Sequence, residues 1–259
     1  MSIPTVDEAR TVHPTTPDRL ARLPLRAELF LLAHDDDTGE PTINIQSLAV
    51  GLAGAILLEL WLDQRVAIGW TYNPLRQGWV PNPGRITIAN TDPAGDPLGA
   101  AAMAVIRQTD HTPPEQDQLR RWLRIFAATD LYERVRANML TVGVLRRTSR
   151  RRLGGLVKTD AYLAVDTAWA VRARGQIRSI LHGLAHPQHR HRERPDDQCA
   201  ALSGLVHVLE LAPFLYLDLP NHQLNRLLRD LGERHNRTIH DVITAVDAGR
   251  GDLAVQAMR

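Results

Sequence analysis

Residues Ser47–Gln64 read SLAVGLAGAILLELWLDQ. Leu48, Leu52, Ala55, Ile56, Leu58, Leu60 and Trp61 leave this stretch hardly any polar face. A helix that is apolar all round belongs in the middle of a domain. The apolar run Leu48–Leu62 is shorter than the roughly 20 residues a spanning helix needs, and it contains Glu59. Gly51 and Gly54 would let a neighbouring helix come close, and Ser47 is placed to cap the start. The expectation is a soluble domain wrapped round this helix, with any membrane contact peripheral.

The flanking segments agree with that reading. Upstream, LRAELFLLAHDDDTGEP (25–41) is a short apolar helix running into an acidic turn. Asp35, Asp36 and Asp37 could ligate a metal, but DDDTG is also what a tight turn requires, and the turn is preferred. Downstream, RVAIGW (65–70) and RITIAN (85–90) alternate as strands do, with TYNPLRQGWVPNPG (71–84) as a loop between them. Helices follow in DPAGDPLGAAAMAVIRQTD, in TPPEQDQLRRWLRIFAATD with Thr112 and two prolines at its start, and in LYERVRANMLTVGVL, closed near Gly143. A hairpin then spans 144–165, with LGG at its turn. Further helices are read at 166–185 behind an Asp166 cap, 196–217, 221–235 and 238–249. The fold class is mostly α: a single helical-bundle domain, 23–259, around a buried central helix, with a few short β-hairpins. Residues 1–22 form a polar N-terminal tail without an apolar signal core.

Net charge over the 259 residues is only +2, yet Lys158 is the sole lysine among 31 basic residues. Arg146, Arg147, Arg150, Arg151 and Arg152 place five arginines within seven positions. Such a cluster is either a surface for something anionic or a solvated hairpin tip. On a strand, alternate side chains leave by opposite faces, so the five cannot all point one way. Arg174 and Arg178 share a face of the next helix. Cys199 is the only cysteine, which fits a reducing, cytoplasmic compartment.

Little else suggests chemistry. His182 and His186 are four apart, with His189 and His191 beyond, but no glutamate lies between the first two and Pro187 interrupts. A polar interhelix loop is the preferred reading there. There is no phosphate-cradling glycine loop, nucleophile elbow or CxxC pair. No catalytic residue, metal ligand or cofactor is expected. Aromatics do not interleave with the arginines, which argues against nucleic acid.

The order of motifs resembles the Golgi phosphoprotein 3 family, specifically its actinobacterial-type members. The resemblance rests on AELFLLAHDDDTGEP, GLAGAILLEL (51–60), DPAGDPL, TPPEQDQLRRWL, YERVRANMLTVGVLRR and the hairpin, and it covers about Leu25–Pro213. It implies a helical domain, a hairpin (144–165) that can serve homo-oligomerisation, and no enzymatic activity. Eukaryotic members bind phosphatidylinositol 4-phosphate on Golgi membranes and act as adaptors retaining glycosyltransferases. Their headgroup pocket uses a tryptophan and three arginines. In this chain those positions fall on Asn44, Ala53, Thr129 and Tyr132, so specific phosphoinositide recognition is put in doubt. Arg134 and Arg136 on the same helix as Tyr132, together with Arg146, Arg147, Arg150, Arg151 and Arg152, are the remaining candidates for an anionic headgroup. The implied function is a peripheral adaptor at the inner membrane face, meeting anionic lipid or a partner protein. The alternative is a soluble homo-oligomeric interaction module with no lipid ligand.

Overall fold

The computed structural model describes residues 22–92, 95–109, 118–128, 130–152, 157–185, 195–216 and 219–257. At its centre lies α2, Ile45–Leu62, in which Leu48, Leu52, Ala53, Ala55, Leu57 and Leu58 are completely buried. Among the described residues this helix is long and apolar enough to cross a membrane, but 72% of it is buried inside the protein. Burial against other helices satisfies the same hydrophobicity that a bilayer would.

The surrounding helices are α1 (Leu25–Leu32), α3 (Pro97–Thr109), α4 (Gln118–Ala127), α5 (Leu131–Thr141), α6 (Ala168–Ala185), α7 (Asp197–Val208), α8 (Asn221–Arg234) and α9 (Arg237–Ala257). Of these, α1, α3, α4, α5, α7 and α9 pack on α2. The two glycines of α2 do what their positions suggested. A Cβ on Gly51 would lie 2.5 Å from Leu209, and one on Gly54 would lie 2.5 Å from Val246 of α9. The mostly α architecture with short hairpins is therefore as expected.

Three details differ from expectation. The cap of α2 is Asn44, whose side-chain oxygen accepts from the Gln46 N–H at 2.7 Å and the Ser47 N–H at 3.4 Å, so Ser47 lies inside the helix. The apolar run expected as one helix over 196–217 ends at Val208. Glu210 turns to a positive φ of 59°, and a short 3-10 turn, Ala212–Leu215, follows around Pro213. The first hairpin is longer than alternation implied. β1 (Val66–Asn73) pairs antiparallel with β2 (Gly78–Ile88) as far as Asn73↔Gly78, leaving only 74–77 as the turn. Its ladder survives Pro81 and Pro83 because the register shifts between Ile68 and Trp70, where prolines need not donate. Gly69 and Gly84 take φ of 76° and 77° at that bulge.

The second hairpin pairs β3 (Leu145–Arg152) with β4 (Val157–Ala164), from Leu145↔Ala164 to Arg152↔Val157. Its main contact with the helical body is α5. Glu59, the charge inside the apolar run, meets Arg26 of α1. The Arg26 backbone N–H donates to Glu59 at 2.6 Å, and its guanidinium pairs with both Glu59 and Asp96, the latter at 2.7 Å. Burial still raises the Glu59 carboxyl to about 7. Residues 1–21 of the polar tail lie outside the described residues, as do Thr112 and His186–His191.

Candidate functional site

The arginine ribbon is seated by aromatic packing and one buried histidine. α1 ends at Ala33, and the chain turns through Asp35, whose carboxylate accepts from the Asp37 and Thr38 N–H groups at 3.1 and 2.7 Å. This is the turn reading of DDDTG, and no metal-binding group of side chains is found among the described residues. Gly39 in that turn has φ of 67° and lies against the backbone of Tyr162 in β4, so close that a Cβ would sit 2.4 Å from the Tyr162 carbonyl oxygen. Only glycine fits there.

Below the turn, His34 is 7% exposed and stacks on Phe30 with ring centroids 4.0 Å apart. Its Nδ1–H donates to the Phe30 carbonyl at 2.6 Å, which leaves Nε2 to accept the Tyr132 hydroxyl at 2.9 Å. Burial drives the His34 pKa down to about 4, so the ring is neutral. Tyr132 in turn carries the Arg136 guanidinium 5.6 Å from its ring centre, and Arg136 lies 4.1 Å over the ring of Tyr162. Cation–π contact thus links α5 to the ribbon.

The candidate arginines fall in different surroundings. Arg136 is half-buried between the two tyrosines and also pairs with Glu133. Arg134, two residues away on α5, leaves by another side of the helix and borders Leu98, Ile125 and Ile56. The structure therefore does not bring Arg134 and Arg136 to one site. Arg146 is exposed and has no carboxylate partner among the described residues. Arg147 is exposed and pairs with Asp160 across the ribbon; the hydrogen bond and charge of each group hold the Arg147 pKa up and the Asp160 pKa down. Arg150, Arg151 and Arg152 continue β3, paired with Thr159, Lys158 and Val157, but their side chains lie outside the described part. Of the helix arginines, Arg174 is occupied by Asp36 at 2.6 Å.

A second feature lies at the N-terminal end of α2, where the family resemblance places a headgroup. A cavity of about 430 Å³ opens between α2, α4, α5 and α9, lined by Ile45, Ala49, Val50, Leu123, Leu131 and Leu253. Its polar rim holds Arg124 together with Asp130, Glu133 and Asp252; Arg136 pairs with Glu133 and Arg120 with Asp252 at 2.9 Å, so the rim is close to charge-balanced. Three of the four candidate positions have a structural task instead. Asn44 caps α2, Ala53 is completely buried, and the Tyr132 hydroxyl is taken by His34. Thr129 lies outside the described residues. This is an apolar hollow whose rim carboxylates are largely paired, with Arg124 as the one guanidinium among its lining residues.

Sequence reasoning missed Tyr162 and His34, which fix where the ribbon sits. The sequence pattern would have missed Tyr162: with LGG (153–155) as the turn, counting brings Ala161 opposite Arg147, whereas the register pairs Arg147 with Tyr162. Nothing local marks His34 as buried.

Taken together, the molecule is a helical domain enclosing an apolar helix, with a basic two-stranded ribbon held on its surface by stacked aromatic rings. The family model described as Golgi phosphoprotein 3 (GPP34) matches residues 25–259. The chain belongs to that family, and membership is consistent with a non-catalytic adaptor. No curated protein matches it.

Proposed function

We propose that this chain is a non-catalytic adaptor that meets anionic lipid headgroups peripherally through the β3–β4 ribbon. One observation carries the reading: over 144–165 the ribbon holds five arginines and Lys158 against the single carboxylate of Asp160, and that carboxylate is already engaged by Arg147. Basic residues close to an anionic surface contribute about 1 kcal/mol each. With only half of them facing the bilayer, the gain is about 3 kcal/mol, a factor of roughly 150 in partitioning. The recognition is of surface charge rather than of one headgroup, because the hollow at the end of α2 is mostly apolar and Arg124 is the one guanidinium among its lining residues. The site is the arginine set Arg146, Arg147, Arg150, Arg151 and Arg152, with Arg136 holding the ribbon in place.

Co-sedimentation with vesicles of phosphatidylcholine and phosphatidylserine, at low and high salt, tests this. Binding at low salt that falls steeply as salt rises is expected. An absence of binding at low salt would end the membrane reading. A second reading has its own support: each ribbon strand pairs on one side only, so its other edge has no strand beside it among the described residues. Pairing of two copies along that edge would make the ribbon an oligomerisation element. Light scattering over a range of concentrations, with and without residues 146–163, separates the two.

A further inference from the structure

The first hairpin is built for a different contact. Its inner half belongs to the core: Val66, Ile68 and Ile86 are 1–2% exposed. At the bulge between Ile68 and Trp70 the pairing jumps from Ile68↔Ile86 to Trp70↔Pro81. Beyond that break the ribbon leaves the body. Tyr72 is 50% exposed, Trp70 39%, and Leu75 at the tip 94%. Nearly bare leucine at the end of a two-stranded arm, with Trp and Tyr a few residues behind it, needs an occupant. The charge pattern says which. From Val66 to Ala89 there is no Asp or Glu at all, while Arg76 stands beside Leu75 with no carboxylate partner among the described residues.

We infer that the β1–β2 tip inserts into the interfacial zone of an anionic bilayer, Leu75 entering the acyl boundary, Trp70 and Tyr72 lying at headgroup depth and Arg76 meeting lipid phosphate. This rests on the membrane reading above and adds a second, apolar foothold to it. Trp and Tyr favour the membrane–water boundary because each has an apolar body and a polar handle. One charged ribbon alone gives contact that salt can screen, whereas two unlike anchors give contact that salt only weakens. The two arms leave from opposite ends of α2: β1 begins just after its C-terminal Leu62, and β4 rests on the Gly39 turn just before its N-terminal Asn44. A bilayer touched by both would run along that helix, which is about 27 Å long at 1.5 Å per residue.

The test uses the full chain. Cys199 is buried, and burial pushes its thiol pKa up to about 12, so it stays unreactive. Leu75→Cys can therefore be labelled selectively with a polarity-sensitive fluorophore. Added vesicles of phosphatidylcholine and phosphatidylserine should shift its emission to the blue, and most of the shift should persist at high salt. In unlabelled protein, Leu75→Asp should lower vesicle binding at high salt at least about tenfold, the scale of one buried leucine, whereas Leu75→Trp should keep or raise it. Arg146→Glu with Arg147→Glu should instead remove mainly the low-salt component. Because Leu75 touches almost nothing, circular dichroism should show all these variants folded. If wild type binds vesicles but the label does not shift and Leu75→Asp binds as wild type does, the tip inference falls and the ribbon reading stands. If Leu75→Asp changes the mass measured by light scattering without vesicles, the tip is a protein interface and the inference is overturned. If wild type binds no vesicles at low salt, both fall together.

Discussion

Acidification should loosen the seat of the arginine ribbon through His34. With Nδ1–H given to the Phe30 carbonyl, a second proton could only go to Nε2, where the Tyr132 hydroxyl already donates. The ring is buried, and the Arg136 guanidinium nearby disfavours another positive charge. In the unfolded chain the imidazole takes its proton near pH 6.5; in the folded chain, only near 4. Between those values the unfolded state binds a proton that the native state refuses. Stability therefore holds above 6.5, falls as the pH drops and levels off below about 4. The full loss from this one group is roughly 3 kcal/mol. The comparison is urea unfolding of wild type and His34→Gln, from neutrality down to pH 4, because glutamine can both donate to Phe30 and accept from Tyr132 but cannot titrate. Buried carboxylates such as Glu59 titrate in both proteins and cancel. The wild-type curve should drop relative to the variant by most of that amount. Parallel curves, or an imidazole proton resonance for His34 that titrates near 6.5, would refute the reasoning.

Other outcomes follow from packing and charge. Gly232→Ala should cost about 1–3 kcal/mol in chemical denaturation, because its Cβ would lie 2.6 Å from the Gly204 backbone. Gly175→Ala, with nothing within 4 Å, should gain about 0.5–1 kcal/mol by reducing unfolded-chain freedom. Arg26→Met should cost about 3–5 kcal/mol by leaving Glu59 buried without its main partner. Since Glu59 already holds its proton up to about 7, that deficit should shrink when unfolding is repeated at mildly acid pH. Asp160→Asn releases Arg147 and removes the ribbon's one negative charge, so low-salt vesicle binding should rise about fivefold in co-sedimentation.

The fold was largely legible because α2 has a single physical solution. A run as apolar as Leu48–Leu62 with Gly51 and Gly54 on its surface can only be covered by other helices, and the helix-forming segments around it supply them. Boundaries were less legible where a side chain bonds its own backbone. Asn44 and Ser47 both suit a cap, and the choice is made by which side-chain oxygen reaches the free N–H groups at the first turn. The outer half of β1–β2 was hidden because Pro81 and Pro83 look like loop residues unless a bulge moves them out of donor positions. The basic cluster was visible at once. Its mounting was not, since His34, Tyr132, Arg136 and Tyr162 come from three separate segments and meet only in the folded chain.

The same geometry explains why family membership fixes the scaffold more firmly than the ligand. Ala53 is completely buried in the middle of α2, so an arginine there would need an anion or a carboxylate beside it to offset desolvation. Alanine fills the position at no such cost. Asn44 satisfies two backbone donors at the start of the helix. Tyr132, which also lines the hollow, gives its hydroxyl to His34 and its ring face to Arg136. These three positions contribute to stability, and the hollow stays mostly apolar with Arg124 as the one guanidinium among its lining residues. Positive charge is concentrated in the sequence of the β3–β4 ribbon, where Arg146 and Arg147 are exposed and cost the core nothing. A membrane contact made that way depends on surface potential and tip insertion, so changing the headgroup at constant charge should leave affinity nearly unchanged. Vesicles with equal surface charge made from phosphatidylserine, phosphatidylglycerol or a phosphoinositide should therefore bind alike. A strong preference for one of them would mean that a stereospecific pocket exists and that the apolar hollow has been misread.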